Sequence, residues 1–399
     1  MRPLFSRALA AMERTGDIYL ANHSLGRPLD RTADDVRGAL DLWYETMEHA
    51  WGPWVQTRER YRALMAELIG CGDANRVVPK TSAAQAFRAV LNAAQKPDGE
   101  SLRVLTTRGE FDSADFVLKA YHRKGLVEVE RVEPDASGAF SAQELTDRLS
   151  ERHDLLLVSQ AFFVTGQVLH PLQPMFEKAR ALGVVSIVDT YHSAGVIPVG
   201  FDDLGADFAM GGNYKYTRGG PGACWLAIAA RHARDAGPPA ESGLFCIDTG
   251  WFAKADTFGY QRSDEPRYAA GGDAWLEATP PVLTWYQALA GLELTLGLGI
   301  DRLRTYSLHQ QRLLFAEFER LGIETARVGD AHGAFVLVPT DRLGDDIGAL
   351  ARHGVRIDGR PRPDAPDRGY LRFCPDILTT EAELREAALR TRAAINERA

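Results

Sequence analysis

Between about residues 100 and 230 the chain lays down short apolar runs separated by stretches with helical spacing. The runs are RVLTT from Arg103, LVEVERV from Leu126, LLLVSQ from Leu155, VVSIVDT from Val184, DFAMG from Asp207 and ACWLAI from Ala223. Each has the length of a strand, and helical patterns fall between them near Ala114–His122, Ala142–Ser150 and Pro174–Leu182. Apolar strands joined through helices call for a largely parallel sheet covered on both faces, because a parallel connection has to cross back over the sheet. This pattern predicts an α/β fold.

The flanks extend that reading. Val36, Leu40, Trp43 and Met47 recur at helical spacing over about Asp34–Met47, and a second helix covers roughly Arg58–Leu68. Val77 and Val78 close a strand or a loop, after which Ala86, Val90 and Leu91 mark one helix face. Ser82, Ala83 and Ala84 stand at the start of that helix. Free backbone N–H groups there, screened only by small side chains, make an anion cradle. After Pro281 the pattern is helical from Thr284 to Leu298 and from Leu303 to Leu321. A small α/β region follows, with strand FVLVP at Phe335, a helix near Ala349, strand YLRFC at Tyr370 and a helix from Glu381. We therefore expect a segment 1–45 packing with the small domain, a large domain over 46–300 and a small C-terminal domain over 301–399.

Composition narrows the class. With 45% apolar and 25% charged residues over 399 positions, disorder and coiled coil are disfavoured. The net charge of −8 gives no broad electrostatic footprint for nucleic acid. The longest apolar runs, such as GACWLAIAA from Gly222, fall far short of the roughly 20 residues of a membrane helix. The four cysteines, Cys71, Cys224, Cys246 and Cys374, have no metal-ligand or disulfide spacing, so no metal is expected. MRPLFSRALAAMERTGD lacks the apolar core of a secretory signal, which points to a cytoplasmic setting.

The chemistry concentrates in VSIVDTYHSAGVIPV and DFAMGGNYKYTRGGPG. Asp189 ends an apolar strand, and ligands of open α/β sheets bind at that edge. Lys215 follows 26 residues later in a glycine-rich turn, between Tyr214 and Tyr216. A desolvated lysine has a lowered pKa and serves as a nucleophile toward carbonyls. Pyridoxal phosphate requires this combination: the lysine forms the imine, the aspartate keeps the ring nitrogen protonated, and the phosphate sits on the helix start at Ser82 and Ala83. A strand-end Asp is more often a turn former and a lone Lys a solvated charge, but the ordered set outweighs either alternative. The dinucleotide, P-loop, nucleophile-elbow and zincin motifs are absent from the sequence.

These residues fall within motifs that resemble the kynureninases, a family of the fold type I (aspartate aminotransferase-like, class V) pyridoxal phosphate enzymes. YLANHSLGRP from Tyr19, SQAFFVTGQ from Ser159, DTYHSAG from Asp189, NYKY from Asn213, TGWF from Thr249 and ATPP from Ala278 match its motifs in order. The resemblance implies a mostly parallel seven-stranded sheet in the large domain. It implies Lys215 as the cofactor lysine and proton shuttle, Asp189 on the pyridine nitrogen and Phe111 stacked on the ring. Ser82, Ala83 and Tyr214 would hold the phosphate, with Trp251 and Thr279 reaching over from the second subunit of a homodimer. Ser113, Ser159 and His192 would line the cofactor pocket. Arg372 would clamp the substrate carboxylate, with Ser24 and His49 on the substrate side.

The chain also departs from the family. Thr279 and His23 stand where it has asparagines, and Ala114 replaces an acid; Asp115 either compensates for it or simply starts the helix as an N-terminal charge. His49 is one residue out of step with the family's substrate-side histidine. Trp43, Trp51, Trp54 and Phe162 are candidates for an aromatic substrate pocket, with helix packing the favoured role for Trp43. The resemblance implies hydrolytic Cβ–Cγ cleavage of a kynurenine-type amino acid to alanine and an aromatic acid. The alternatives are a pyridoxal phosphate-dependent aminotransferase, epimerase, decarboxylase or oxidative deaminase, or a non-catalytic cofactor-binding protein. A cysteine desulfurase is disfavoured, since the arm DGRPRPDAPD from Asp358 carries no cysteine.

Overall fold

The computed structural model describes residues 1–96, 99–238, 243–362 and 365–397, so Pro363 and Asp364 of the arm lie outside the described residues. In chain order the strands are β1 (Ile18–Tyr19), β2 (Val77–Lys80), β3 (Leu102–Thr107), β4 (Val127–Val132), β5 (Leu155–Ser159) and β6 (Val185–Asp189). They continue with β7 (Phe208–Gly212), β8 (Cys224–Ile228), β9 (Val336–Thr340), β10 (Val355–Arg356), β11 (Asp358–Arg362) and β12 (Ala365–Phe373).

Seven of them form one sheet in the order β2-β8-β7-β6-β5-β3-β4. The run from β7 to β4 is parallel, while β8 is antiparallel to both β7 and β2. The unbroken apolar character of the strands follows from burial on both faces. Leu156, Val158 and Val188 join one core cluster, and their chain neighbours Leu155, Leu157 and Ile187 join the other. This is the mostly parallel α/β architecture that the strand–helix alternation predicts.

The remaining strands add what the sequence pattern does not announce. β11-β12-β9 form an antiparallel sheet, and β1 pairs in parallel with β10, Ile18 opposite Val355. β1 and β10 have two residues each, too few for a period, and β11 reads DGRPR, a polar edge with proline. A helix Ser6–Thr15 also precedes β1, and the helix expected from Arg58 starts at Trp51. Pro53 lies in its first turn, where a missing N–H costs no helical bond. Ile18 and Leu20 pack with Leu314, Phe318 and Phe373, while the helix Asp30–Thr46 lies against the helix Val282–Leu298. The first 45 residues thus touch both parts of the chain.

The sheet's register assembles one edge. Lys80 and Gly212 both pair with Cys224, and Asp189 lies between Ser159 and Met210. The carboxyl ends of β2, β3, β5, β6 and β7 therefore open onto one rim together with the start of β8. No helix among the described residues is long and apolar enough to cross a membrane.

Candidate active site

A pocket opens at this rim, where ligands of parallel α/β sheets bind. Asp189 and His192 enter it from the end of β6 and the turn after it, Tyr214 and Lys215 from the turn after β7, and Ser159 from the end of β5. Ser82 and Ala83 enter from the start of the helix Ala83–Ala93, and Phe111 and Ser113 from the start of the helix Asp112–Arg123. Nine residues far apart in sequence, all expected around the cofactor, are thus brought together.

Lys215 is almost fully buried. Its Nζ lies 2.6 Å from His192 Nε2, and it faces the rings of Tyr191 at 4.9 Å and Phe111 and Tyr214 at 5.7 Å. Burial pushes its ammonium well below the ordinary lysine value; Asp189 opposes this, and Arg372 and Arg360 add to it. Loss of water likewise pushes the Asp189 carboxyl up, against the Tyr191 N–H donated to Oδ1 at 2.8 Å and the charge of Lys215. His192 falls well below the usual imidazole range, chiefly from burial and then from Lys215. The site therefore holds an amine that readily sheds its proton, facing a buried carboxyl.

At the anion end, Ser82 is the N-cap of the helix Ala83–Ala93, its Oγ accepting from Gln85 N at 3.1 Å. The cap takes the Gln85 N–H, and the small residues Ser82, Ala83 and Ala84 line the pocket at this helix start, where first-turn N–H groups have no intrahelical acceptor. Phe111 stands edge-on to Phe163 at 5.1 Å, 85° between ring planes. Ser159 Oγ donates to Glu110 Oε2 at 2.6 Å, and Thr107 Oγ1 donates to Glu110 Oε1 at 2.7 Å.

Gly26 explains how the N-terminal segment fixes the lysine turn. Its N–H donates to Tyr214 O at 2.7 Å, and a Cβ on it would lie 2.0 Å from the Lys215 carbonyl oxygen. Ser24, two residues earlier, is partly buried, its N–H donating to Ala21 O.

The other expected residues are not part of this lining. Arg372 is 1% exposed; its Nε and Nη2 donate to Asp358 at 2.9 and 2.8 Å, and its Nη1 donates to the carbonyl of Phe163, a residue of the pocket wall. His49 is exposed beside Glu48. Trp251 stacks among Trp51, Phe258 and Tyr260, and Thr279 is exposed; the two segments adjoin, Phe252 N–H donating to Glu277 O at 2.9 Å. Asp115 lies in the first turn of the helix Asp112–Arg123, pairs with Lys119 and with Arg131 at 3.0 Å, and is not in the pocket lining. Phe162 packs on Phe140 in the core, and its neighbour Phe163 takes the pocket wall. Trp43, Trp51 and Trp54 form an edge-to-face cluster.

Thr81, Tyr191, Glu110 and Asp358 belong to the site or its surroundings without standing among the expected residues. Tyr191 sits between two motif residues and was legible from its place in DTYH. Glu110 and Asp358 acquire their meaning only from partners brought by the fold.

The residues present fit pyridoxal phosphate: a buried amine, a buried carboxyl, aromatic faces and small residues at a helix start. The family model for class-V aminotransferases matches residues 45–336. The chain is 28% identical to the kynureninase of Bacillus cereus over 311 residues, 76% of this chain and 70% of that one. It is 26% identical to that of Geobacillus thermodenitrificans over 382 residues, 92% of this chain and 85% of that one. Among solved structures it is similar to C-DES with glycine covalently linked to pyridoxal phosphate, with a TM-score of 0.83 at 18% identity over 98% of this chain and 99% of that one. It is similar also to a cysteine desulfurase from Thermococcus onnurineus, with a TM-score of 0.75 at 16% identity over 96% of each chain. These two likenesses concern the fold. Family, fold and pocket agree, and the chain belongs to the class-V aminotransferase family of pyridoxal phosphate-dependent enzymes.

Proposed function

We propose that the protein is a kynureninase-like hydrolase that cleaves the Cβ–Cγ bond of a γ-oxo amino acid, giving alanine and an aromatic acid. The observation that carries this reading is the buried Lys215 amine held against His192 and facing Asp189, in a chain whose sequence relatives named above are kynureninases. When bound, pyridoxal phosphate supplies an electron sink for the substrate's Cα. Lys215 would hold the cofactor and would move the proton at the substrate's Cα. Asp189 holds a proton at the ring nitrogen, Ser82, Ala83 and Tyr214 hold the phosphate, and Phe111 covers the ring. Ser113, Ser159 and His192 would line the cofactor pocket. Arg372 binds the α-carboxylate with Ser24 and His49 on the substrate side, and the aromatic wall limits entry of bulk water.

On the same footing we place domain boundaries near residues 45 and 300, and we read the enzyme as a cytoplasmic homodimer in which Trp251 and Thr279 of one subunit complete the other's pocket. The connected ring cluster of Trp43, Trp54, Trp51 and Trp251, with Phe258 and Tyr260 exposed at its edge, supports a covered surface there. Thr279 and His23, in place of the family's asparagines, favour a second reading, in which the cofactor serves transamination, epimerisation, decarboxylation or oxidative deamination. Incubation with kynurenine and 3-hydroxykynurenine, with products read by mass spectrometry, separates the two. Alanine with anthranilate or its hydroxy analogue is the expected outcome; bound cofactor with no cleavage product from either substrate overturns the first reading.

A further inference from the structure

Asp358 and Arg372 face each other across the β11–β12 ladder, so their side chains share one face of the small sheet. Asp358 closes one edge of the guanidinium, accepting from Nε at 2.9 Å and Nη2 at 2.8 Å, while Nη1 donates to Phe163 O. His23 meets the same carboxylate oxygen as Arg372 Nε: its Nε2 lies 2.7 Å from Asp358 Oδ1, and the ring is fully buried. A carboxylate only accepts, so the imidazole proton is on Nε2. Burial, with the charge of Arg372 second, pushes His23 down to about 4, so it donates without adding charge. Arg360 approaches Asp358 from β11 at 3.3 Å. Burial alone would raise the Asp358 carboxyl, but these three neighbours hold it far below the carboxylate range.

We propose that Asp358, braced by His23, is the positioning residue that aims Arg372 at the substrate. With the Nε edge occupied, a substrate carboxylate meets only the terminal nitrogens, each of which keeps one N–H. The pair is fixed by strand register rather than by a flexible loop, so the aim is set before substrate arrives. His23 stands where the kynureninase motif has asparagine. The inference rests on the reading of Arg372 as carboxylate clamp.

The test titrates holoenzyme with L-alanine and with L-alaninol, which lacks the carboxylate, following the absorbance of the bound cofactor. Asp358→Asn is expected to weaken alanine on the order of tenfold, the scale of a lost charge-assisted hydrogen bond, and to leave alaninol unchanged. Asp358→Glu, which restores the charge, is expected to recover part of the loss. His23→Gln should weaken alanine selectively by a smaller factor, and it carries the test if Asp358→Asn does not fold. An equal change for both ligands, or none, overturns the proposal. Arg372→Ala separates the layers: if it leaves alanine unaffected, the clamp reading itself fails; if it abolishes the alanine preference while Asp358→Asn and His23→Gln leave that preference intact, only the positioning role fails.

Discussion

Glu110 shows how much of this site is written in the environment of single residues. It is buried, which pushes its carboxyl up to about 7, with the Ser159 and Thr107 hydroxyls opposing. Between the ordinary carboxylate value and 7 the folded chain keeps a proton that the unfolded chain has released. Its contribution therefore favours folding in acid and is lost as pH rises through 7, by roughly 3 kcal/mol for a shift of that size. Glu110→Gln has the shape of the protonated acid and can keep both hydroxyl contacts. We expect it to match the parent in stability at pH 5 and to exceed it at pH 8.5, measured by urea unfolding at each pH; a difference independent of pH would contradict this assignment. Asp189 and Lys215 were legible because strand ends and glycine-rich turns mark sites in sequence. Glu110 was not, because nothing in RGEF foretells two hydroxyls around its carboxylate. Asp358 reads as one acid in a charged arm until the register sets Arg372 opposite it.

At the level of elements, the large sheet was legible because strands buried on both faces must be apolar throughout. The short β1–β10 pair was not, since its stability comes from contacts across more than 300 residues of chain rather than from local pattern. That pairing matters to the site, because it delivers Gly26 to the lysine turn. A side chain at Gly26 would meet the Lys215 carbonyl, a backbone atom that cannot move aside without moving the lysine. Gly26→Ala is therefore expected to cost about 2 kcal/mol, the scale of overpacking, and to lower cofactor affinity with it. Thermal unfolding with and without pyridoxal phosphate checks this; full stability and unchanged affinity would show that the turn is not braced there.

For the whole molecule, the pocket within one chain gathers the residues expected around the ring, while Trp251 and Thr279 lie together on an outer surface. The homodimer reading unites these facts, and it predicts that Trp43→Glu combined with Tyr260→Glu converts a species of twice the chain mass into a monomer by light scattering. The monomer should also bind pyridoxal phosphate more weakly. A parent protein that is already monomeric with full cofactor affinity would contradict it.

The central claim is that Lys215 carries the cofactor. Reduction of the pyridoxal phosphate-loaded protein with borohydride, followed by peptide mass spectrometry, tests it most directly. A single phosphopyridoxyl group on the peptide containing Asn213–Tyr216, located at Lys215 and lost in Lys215→Ala, is the expected result. Attachment at another lysine, or none after loading, would contradict it.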